Sequence, residues 1–244
     1  MIRIVPIKLA GNIKFRDNLA ALMLNVLSRN RIALDNGDIV VVAQKIVSKA
    51  EGRVVDLLGV RPSKQAKTLA RQLHKDPRVV ELILQESEEV VKVQNGIIIT
   101  QTRQGFVCAN SGVDQSNLVD VDTVILLPKY PDISARKLRT AIKKMSGKSV
   151  AVIITDTFGR PFREGQINVA IGISGLNPVK SYIGKKDLFG HRLRVTEIAI
   201  ADEMASAAEL AMNKSDGVPI AIIKGLQFDK GVGSAKRLIR PKKN

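Results

Sequence analysis

Ser149-Val-Ala-Val-Ile-Ile-Thr155 runs without a break into Asp156-Thr-Phe-Gly-Arg160. These seven residues, nearly all β-branched or small and apolar, read as a strand buried on both faces. A second run of the same kind, Ile39-Val-Val-Val-Ala43, follows the turn Asn36-Gly-Asp38. Two such strands in one chain call for layers of other elements to cover them, so the fold is mixed.

Working outward, strand and helix signals alternate irregularly. Met1–Pro6 reads as a short strand. Asp17–Leu27 carries Leu19, Leu22, Met23 and Val26 at helical spacing. Pro62–Leu73 is a basic helix with proline near its first turn, and Pro77–Glu89 is a helix ending in acidic residues. Gly96–Thr102 and Gly105–Ala109 form a hairpin, followed by a polar loop, Asn110–Asn117. Thr123–Leu127 is a buried strand stopped by Pro128. Asp132–Met145 is a helix ended by Gly147, Gly159–Gly175 a glycine-rich segment, Ile198–Asn213 an alanine-rich helix and Val218–Lys224 a late strand. The expected fold is mixed α/β (α+β), with mixed and antiparallel sheets and flanking helices. Residues 1–228 form one domain or two intimately packed subdomains, and 229–244 a mobile basic tail.

Bulk properties narrow the function. Of 244 residues, 45% are hydrophobic and 25% charged, an ordinary globular balance. The single cysteine, Cys108, excludes an internal disulfide and suits a reducing compartment, and two histidines leave little for zinc. The N-terminus lacks the apolar core of a signal peptide, and no stretch reaches the roughly 18 apolar residues of a membrane span. A cytoplasmic protein is expected. The net charge of +16 points to an anionic partner or to a general basic adaptation. Aromatic residues are only 3%, with no Trp, too few for the stacking that single-stranded nucleic acid needs.

Two short patterns imitate phosphate-binding motifs. Gly147-Lys-Ser149 lacks the glycine expected at Ile142, and it follows a helix and opens a strand, the reverse of a P-loop. Gly231-Val-Gly233 lacks a third glycine and a following helix.

Three polar segments follow buried strands, where α/β proteins place ligands. Gln44, Lys45, Ser48, Lys49, Glu51 and Arg53 offer cationic donors for phosphate oxygens, or equally a lysine-defended strand edge. Asn110, Ser111, Asp114, Ser116 and Asn117 offer hard oxygen donors for Mg(II) or Mn(II), or simply a tight turn. Asp156 and Thr157, with Arg160, Arg163 and Glu164, end so apolar a strand that a metal–phosphate site is favoured over a plain turn. On the late helix Asp202, Ser206 and Glu209 share one face, which reads either as an acidic wall beside a metal or amine or as an ordinary polar face.

Read together, these segments resemble the coenzyme F-420 gamma-glutamyl ligase family. The resemblance rests on Gly37–Arg53, Leu84–Glu89, Asn110–Asn117, Leu126–Pro128, Ser134–Arg139, Val152–Gly165, Ala170–Gly175 and Ala201–Leu210, and spans roughly residues 3–228. It implies an acid–amino-acid ligase of the peptide-synthase type. GTP phosphorylates a carboxylate of coenzyme F-420-0, L-glutamate attacks the acyl phosphate to give a gamma-linked amide, and GDP and phosphate leave. It also implies a homodimer with sites near the interface, two Mg(II) or Mn(II) ions per site and a K(I) ion.

Carried over by position, the resemblance makes Asp114, Asp156 and Thr157 metal ligands, with Glu209 serving a second metal. It makes Gln44, Lys45, Lys49 and Asn117 nucleotide contacts. Ala10, Gly11, Asn12 and Ile13 fall where the family meets the nucleotide near its N-terminus. Leu210, Ala211, Met212, Asn213, Lys214, Ser215, Asp216 and Gly217 fall where it closes over GTP. Arg160 and Arg163 as catalytic clamps on phosphate or substrate are a separate inference from their charge. The chain departs from the usual pattern at Asn168, where many relatives carry Asp and which receives no role. It departs also at Ile183, Asn213 and Lys224. An acid–amine ligase for another acceptor, such as a folate-like polyglutamate, and a basic RNA-associated protein are the competing readings.

Overall fold

The computed structural model describes residues 1–94, 96–116 and 120–240. Its centre is a five-stranded mixed sheet. The strands are β1 (Arg3–Ile7), β2 (Ile39–Ala43), β8 (Ala151–Arg160), β9 (Arg163–Ser174) and β12 (Ile220–Lys224), in the order β1-β12-β2-β8-β9. Only β2 and β8 run parallel among these neighbours. These are the two apolar runs from which the reading began, and Ile39–Val42 and Val152–Ile154 are buried completely.

Three helices flank this sheet: α1 (Leu19–Arg29), α5 (Pro131–Ser146) and α6 (Ile200–Met212). They share one hydrophobic cluster with it. Helix α5 crosses β9 so closely that a side chain at Gly172 would lie 2.5 Å from the Pro131 carbonyl oxygen, which requires glycine there. Gly147 caps α5 in the left-handed conformation, at φ 71°.

A second cluster gathers around Ile83, Ile98 and Val124. It lies under α3 (Lys64–Leu73) and α4 (Pro77–Glu86) and two small sheets. One sheet pairs β3 (Val54–Asp56) with β7 (Thr123–Ile125), and the other is β4 (Ser87–Gln94), β5 (Ile97–Thr102) and β6 (Val107–Ala109). Arg53 joins the two clusters. Its Nε donates to the Leu127 carbonyl at 2.9 Å and its Nη2 pairs with Glu86 at 2.5 Å. A short ribbon of β10 (Lys180–Ser181) and β11 (Glu197–Ile198) completes the element list.

The mixed α/β architecture agrees with the expected class. Four local readings are corrected. Gln44–Ala50 is a helix, α2, and not a polar strand exit. Ser87–Glu89 opens strand β4 and does not extend α4. The strand that carries Asp156 does not stop at Thr155 but continues to Arg160. The glycine-rich segment behind it returns as β9, so the two form one long hairpin. Residues 229–240 lie against the sheet. Asp132 accepts from Ser234 Oγ at 2.7 Å and from the Ala235 amide at 3.0 Å while also accepting from the Ile173 amide, and Ala235 is buried.

Candidate functional site

The topology brings four distant segments to one end of the central sheet. Because β2 and β8 are parallel and their pairing ends with Ala43 opposite Thr155, the residues just beyond it, Gln44–Lys45 at the start of the next helix and Asp156–Thr157 within β8, emerge side by side. Strand β12 runs antiparallel to β2, so its approach through Val218 and Pro219 lies at the same end. The Ala43 amide donates to the Pro219 carbonyl at 2.8 Å. Strand β1 is antiparallel to β12 and ends there too, delivering residues 8–13. Between them opens a cleft of about 280 Å³.

The sequence-derived residues divide cleanly. Gly11, Asn12, Ile13, Gln44, Lys45, Lys49, Asp156, Thr157, Glu209, Met212, Asn213, Lys214, Ser215 and Gly217 all line the cleft. Ala10, Leu210, Ala211 and Asp216 belong to the same segments but not to the lining, and Leu210 is largely exposed; Asp114 is not in the lining either and meets it through Lys45. Asn117 lies outside the described residues. Arg160 and Arg163 stand away from the lining, beside the turn of the β8–β9 hairpin, where Arg160 Nη2 donates to the Glu164 carbonyl at 2.7 Å. Asn110 and Ser111 are also elsewhere. Ser111 is bound within the second cluster, to Thr100 Oγ1 and the Ile83 carbonyl.

One wall of the cleft joins the two clusters. Lys45 Nζ pairs with Asp114 Oδ2 at 2.8 Å and donates to Ser116 Oγ. Asp114 is fixed from behind by a two-bond bridge to Ile125 of β7. Burial alone would raise the Asp114 carboxyl, but the Lys45 ammonium and the Ser116 donors outweigh it and hold it below the ordinary aspartate value. Lys49, also in the lining, is pushed below the ordinary lysine value by burial and by its neighbour Lys45. The Gln44 side chain is buried. Its Oε1 accepts from Ser48 Oγ at 2.9 Å, yet its Nε2 has no protein partner. An unmet buried donor facing a cleft is a place for a ligand acceptor.

The other wall stands entirely on the main sheet and α6. Lys214 Nζ donates to Thr157 Oγ1, and Thr157 Oγ1 donates to Asn168 Oδ1 at 2.7 Å. Asn168 Nδ2 donates to Glu209 Oε2 at 2.7 Å, and Glu209 Oε1 lies 3.8 Å from Lys214 Nζ. The acidic face of α6 turns out to clasp β9. Asp202 accepts from the Ala170 amide and Ser206 donates to the Asn168 carbonyl.

Asp156 lies between the walls. Burial pushes its carboxyl up to about 6, the Asp114 carboxylate adds to that, and the Thr157 amide with Lys214 and Lys45 offsets part of it.

Among the described residues, no three His, Cys, Asp or Glu side chains converge on one point as a metal cage would require. The donors are instead separate carboxylates and a hydroxyl, and two of the places a cation would take are held by ammonium groups, Lys45 on Asp114 and Lys214 on Thr157 and Glu209. That donor set fits a hard divalent ion of the Mg(II) kind, which is commonly held by one or two carboxylates together with substrate phosphates. It does not fit a closed structural site.

Asn168, noted in the sequence as a departure and given no role there, also lines the cleft, and the β8–β9 pairing sets it directly opposite Thr157.

Comparison with known proteins gives the family. The family model described as F420-0:Gamma-glutamyl ligase matches residues 8–225. A Methanocaldococcus jannaschii protein named "Coenzyme F420:L-glutamate ligase" is 50% identical over 210 residues, covering 86% of this chain and 84% of the relative. Proteins of the same name from Methanothermobacter thermautotrophicus and Methanopyrus kandleri are 44% and 45% identical, covering 93% and 98% of this chain and 90% and 94% of theirs. The match takes in every segment that builds the cleft, and the chain belongs to the F420-0:gamma-glutamyl ligase family.

Proposed function

We propose that this chain joins L-glutamate to coenzyme F-420-0 through a gamma-linked amide, using GTP and passing through an acyl phosphate. The relatives named for ligation of L-glutamate to coenzyme F420 support the acceptor and the amine. The single observation that carries the nucleotide is the convergence of Lys45, Lys49, Lys214 and the unmet Gln44 donor beside Asp156 at one sheet end.

The chemistry needs little from the protein beyond placement and charge. A carboxylate oxygen of the acceptor attacks the γ-phosphorus of GTP, and the bond to the GDP oxygen breaks. The amine of L-glutamate, having shed a proton, then attacks the acyl carbon, the second amine proton is lost, and phosphate leaves. Positioning and neutralisation of phosphate charge dominate such transfers. Lys45, Lys49 and Lys214 supply cations, and Gln44 a neutral donor. Gly11–Ile13 and Met212–Gly217 form the flanks of the cleft. Asp114, Asp156, Thr157 and Glu209 would hold Mg(II) or Mn(II), whose chemistry is to neutralise phosphate oxygens as charge develops on them. Arg160 and Arg163 serve an acceptor that extends out of the cleft along the hairpin. The surplus of basic residues, a net +16, steers three anionic reactants inward. A homodimer, a K(I) requirement and a cytoplasmic setting complete the proposal. No helix of the described residues is long and apolar enough to cross a membrane.

Mass spectrometry of coenzyme F-420-0 incubated with protein, L-glutamate, GTP and Mn(II) tests the reading. Expected are glutamate additions that require GTP and vanish in Asp156→Ala. Folded protein that binds GTP yet adds no glutamate would redirect the assignment to another acceptor acid.

A further inference from the structure

The Thr157–Asn168–Glu209–Lys214 ring contains one side chain to which nothing has assigned a role. Asn168 is 3% exposed, at the middle of β9, with its carboxamide turned toward the cleft wall. Its two ends do opposite things. The oxygen accepts the Thr157 hydroxyl proton and the nitrogen donates to Glu209 Oε2, both at 2.7 Å. The orientation of the amide is fixed by this arrangement, because an ionised Glu209 can only accept.

Each hydrogen bond prepares an oxygen. Thr157 has one hydroxyl proton, and it is committed to Asn168, so both oxygen lone pairs remain for a cation. Lys214 Nζ now occupies that position. Glu209 has one carboxylate oxygen tied back by the amide, leaving Oε1 on the side of the same ammonium at 3.8 Å. A single carboxamide therefore presents two acceptors from different elements, a strand and a helix, toward one positive charge. It is itself held by its register opposite Thr157 and by Ser206, whose hydroxyl donates to its backbone carbonyl at 2.8 Å.

We propose that Asn168 is the positioning residue of a cation site formed by Thr157 and Glu209, and that Lys214 is the internal cation which occupies that site until a divalent ion replaces it. This rests on the reading that a divalent ion serves the cleft. Hydrogen-bond partners behind metal ligands typically govern affinity by roughly 10- to 100-fold. The polarity of the amide makes a sharper claim than burial does. Asn168→Ala removes both tethers, whereas Asn168→Asp keeps the acceptor for Thr157 and sets a carboxylate against Glu209. That pair is repulsive without a cation and is relieved by one.

Mn(II) binding to the full chain, followed by electron paramagnetic resonance in the absence of GTP and substrates, tests this. Asp156→Ala serves as a reference for the cleft, and circular dichroism checks the fold of every variant. The expected result is Mn(II) affinity roughly tenfold weaker in Asn168→Ala and at least as tight as wild type in Asn168→Asp. Lys214→Met should bind Mn(II) more tightly than wild type, because no ammonium competes. Equal weakening in both Asn168 variants would reduce the residue to packing and overturn the proposal, as would no change in either. Weaker binding in Lys214→Met would overturn the displacement. If wild-type protein shows no Mn(II) binding that depends on Asp156, the reading beneath the proposal falls, and the proposal with it. That outcome is distinct from normal wild-type binding that ignores Asn168.

Discussion

The two walls of the cleft hold the same kind of pair, an ammonium against oxygen acceptors, but they are built differently. Lys45 and Asp114 come from two hydrophobic clusters and meet at 2.8 Å, with only 22% and 28% of their side chains exposed. Lys214 and Glu209 both belong to α6 and the segment after it, stand 3.8 Å apart, and the lysine is 60% exposed. The first contact is a close ion pair partly shielded from water, and the second an exposed ammonium, bonded to Thr157, above a cross-strand hydrogen bond. The first wall therefore gains its strength from charge, and the second its precision from register.

The largest effect is expected where the walls meet. Asp156→Ala should lower glutamate addition by on the order of 10³ or more, the loss of several kcal/mol of charge stabilisation. Next comes a stability effect of opposite sign. The Asp156 carboxyl, ordinarily near 3.8, lies near 6 in the folded chain, so folding favours its protonated form. Its stabilising contribution is complete below about pH 4 and is lost as pH rises through about 6. In protein without metal or nucleotide, Asp156→Asn should thus be more stable than wild type near pH 7, by about 3 kcal/mol at most. The difference should shrink toward zero below about pH 4 in urea titrations. An unchanged gap across that range would show that burial is not what raises the carboxyl.

The walls themselves are compared by calorimetric titration with GTP. Lys45→Met should weaken binding roughly 10- to 100-fold, as befits loss of a shielded charge-assisted contact of about 1.5–3 kcal/mol. Lys214→Met should cost only about threefold, since exposed ammonium groups contribute about 1 kcal/mol or less. Equal losses would erase the distinction between the walls. The smallest effect belongs to Ser206→Ala, which removes one neutral hydrogen bond to β9. It should cost about 0.5 kcal/mol in urea unfolding.

How much of this was legible in the sequence depended on how locally each feature is encoded. The strands Ile39–Ala43 and Val152–Thr155 announce themselves, because burial on both faces leaves no polar position. Asp156 and Thr157 were then visible as polar residues ending such a run. Helix α2 was not, since seven residues with Val47 and Ser48 give too little periodicity. Ser87–Glu89 looked helical because glutamate favours helices. Only pairing with β5 makes the stretch a strand. Strand β9 was hidden by glycines whose need arises elsewhere, as with Gly172 under Pro131. The docking of residues 229–240 depends on Asp132, 102 residues before Ser234, and no local pattern records it.

The place of β12 in the sheet has a consequence for synthesis. It lies between β1 and β2, so the gap between the first two strands of the central sheet is filled by a segment made only after β1, β2, β8 and β9. Until residue 224 emerges, both strands expose unpaired backbone along the edges that should meet it, and the cleft lacks its Pro219 flank. Parallel pairing of β2 with β8 meanwhile requires closing a loop of over a hundred residues, which is slow. The cleft is therefore incomplete until β12 has been made, and a nascent chain that stalls before β12 would present open sheet edges to its neighbours instead of a closed sheet end.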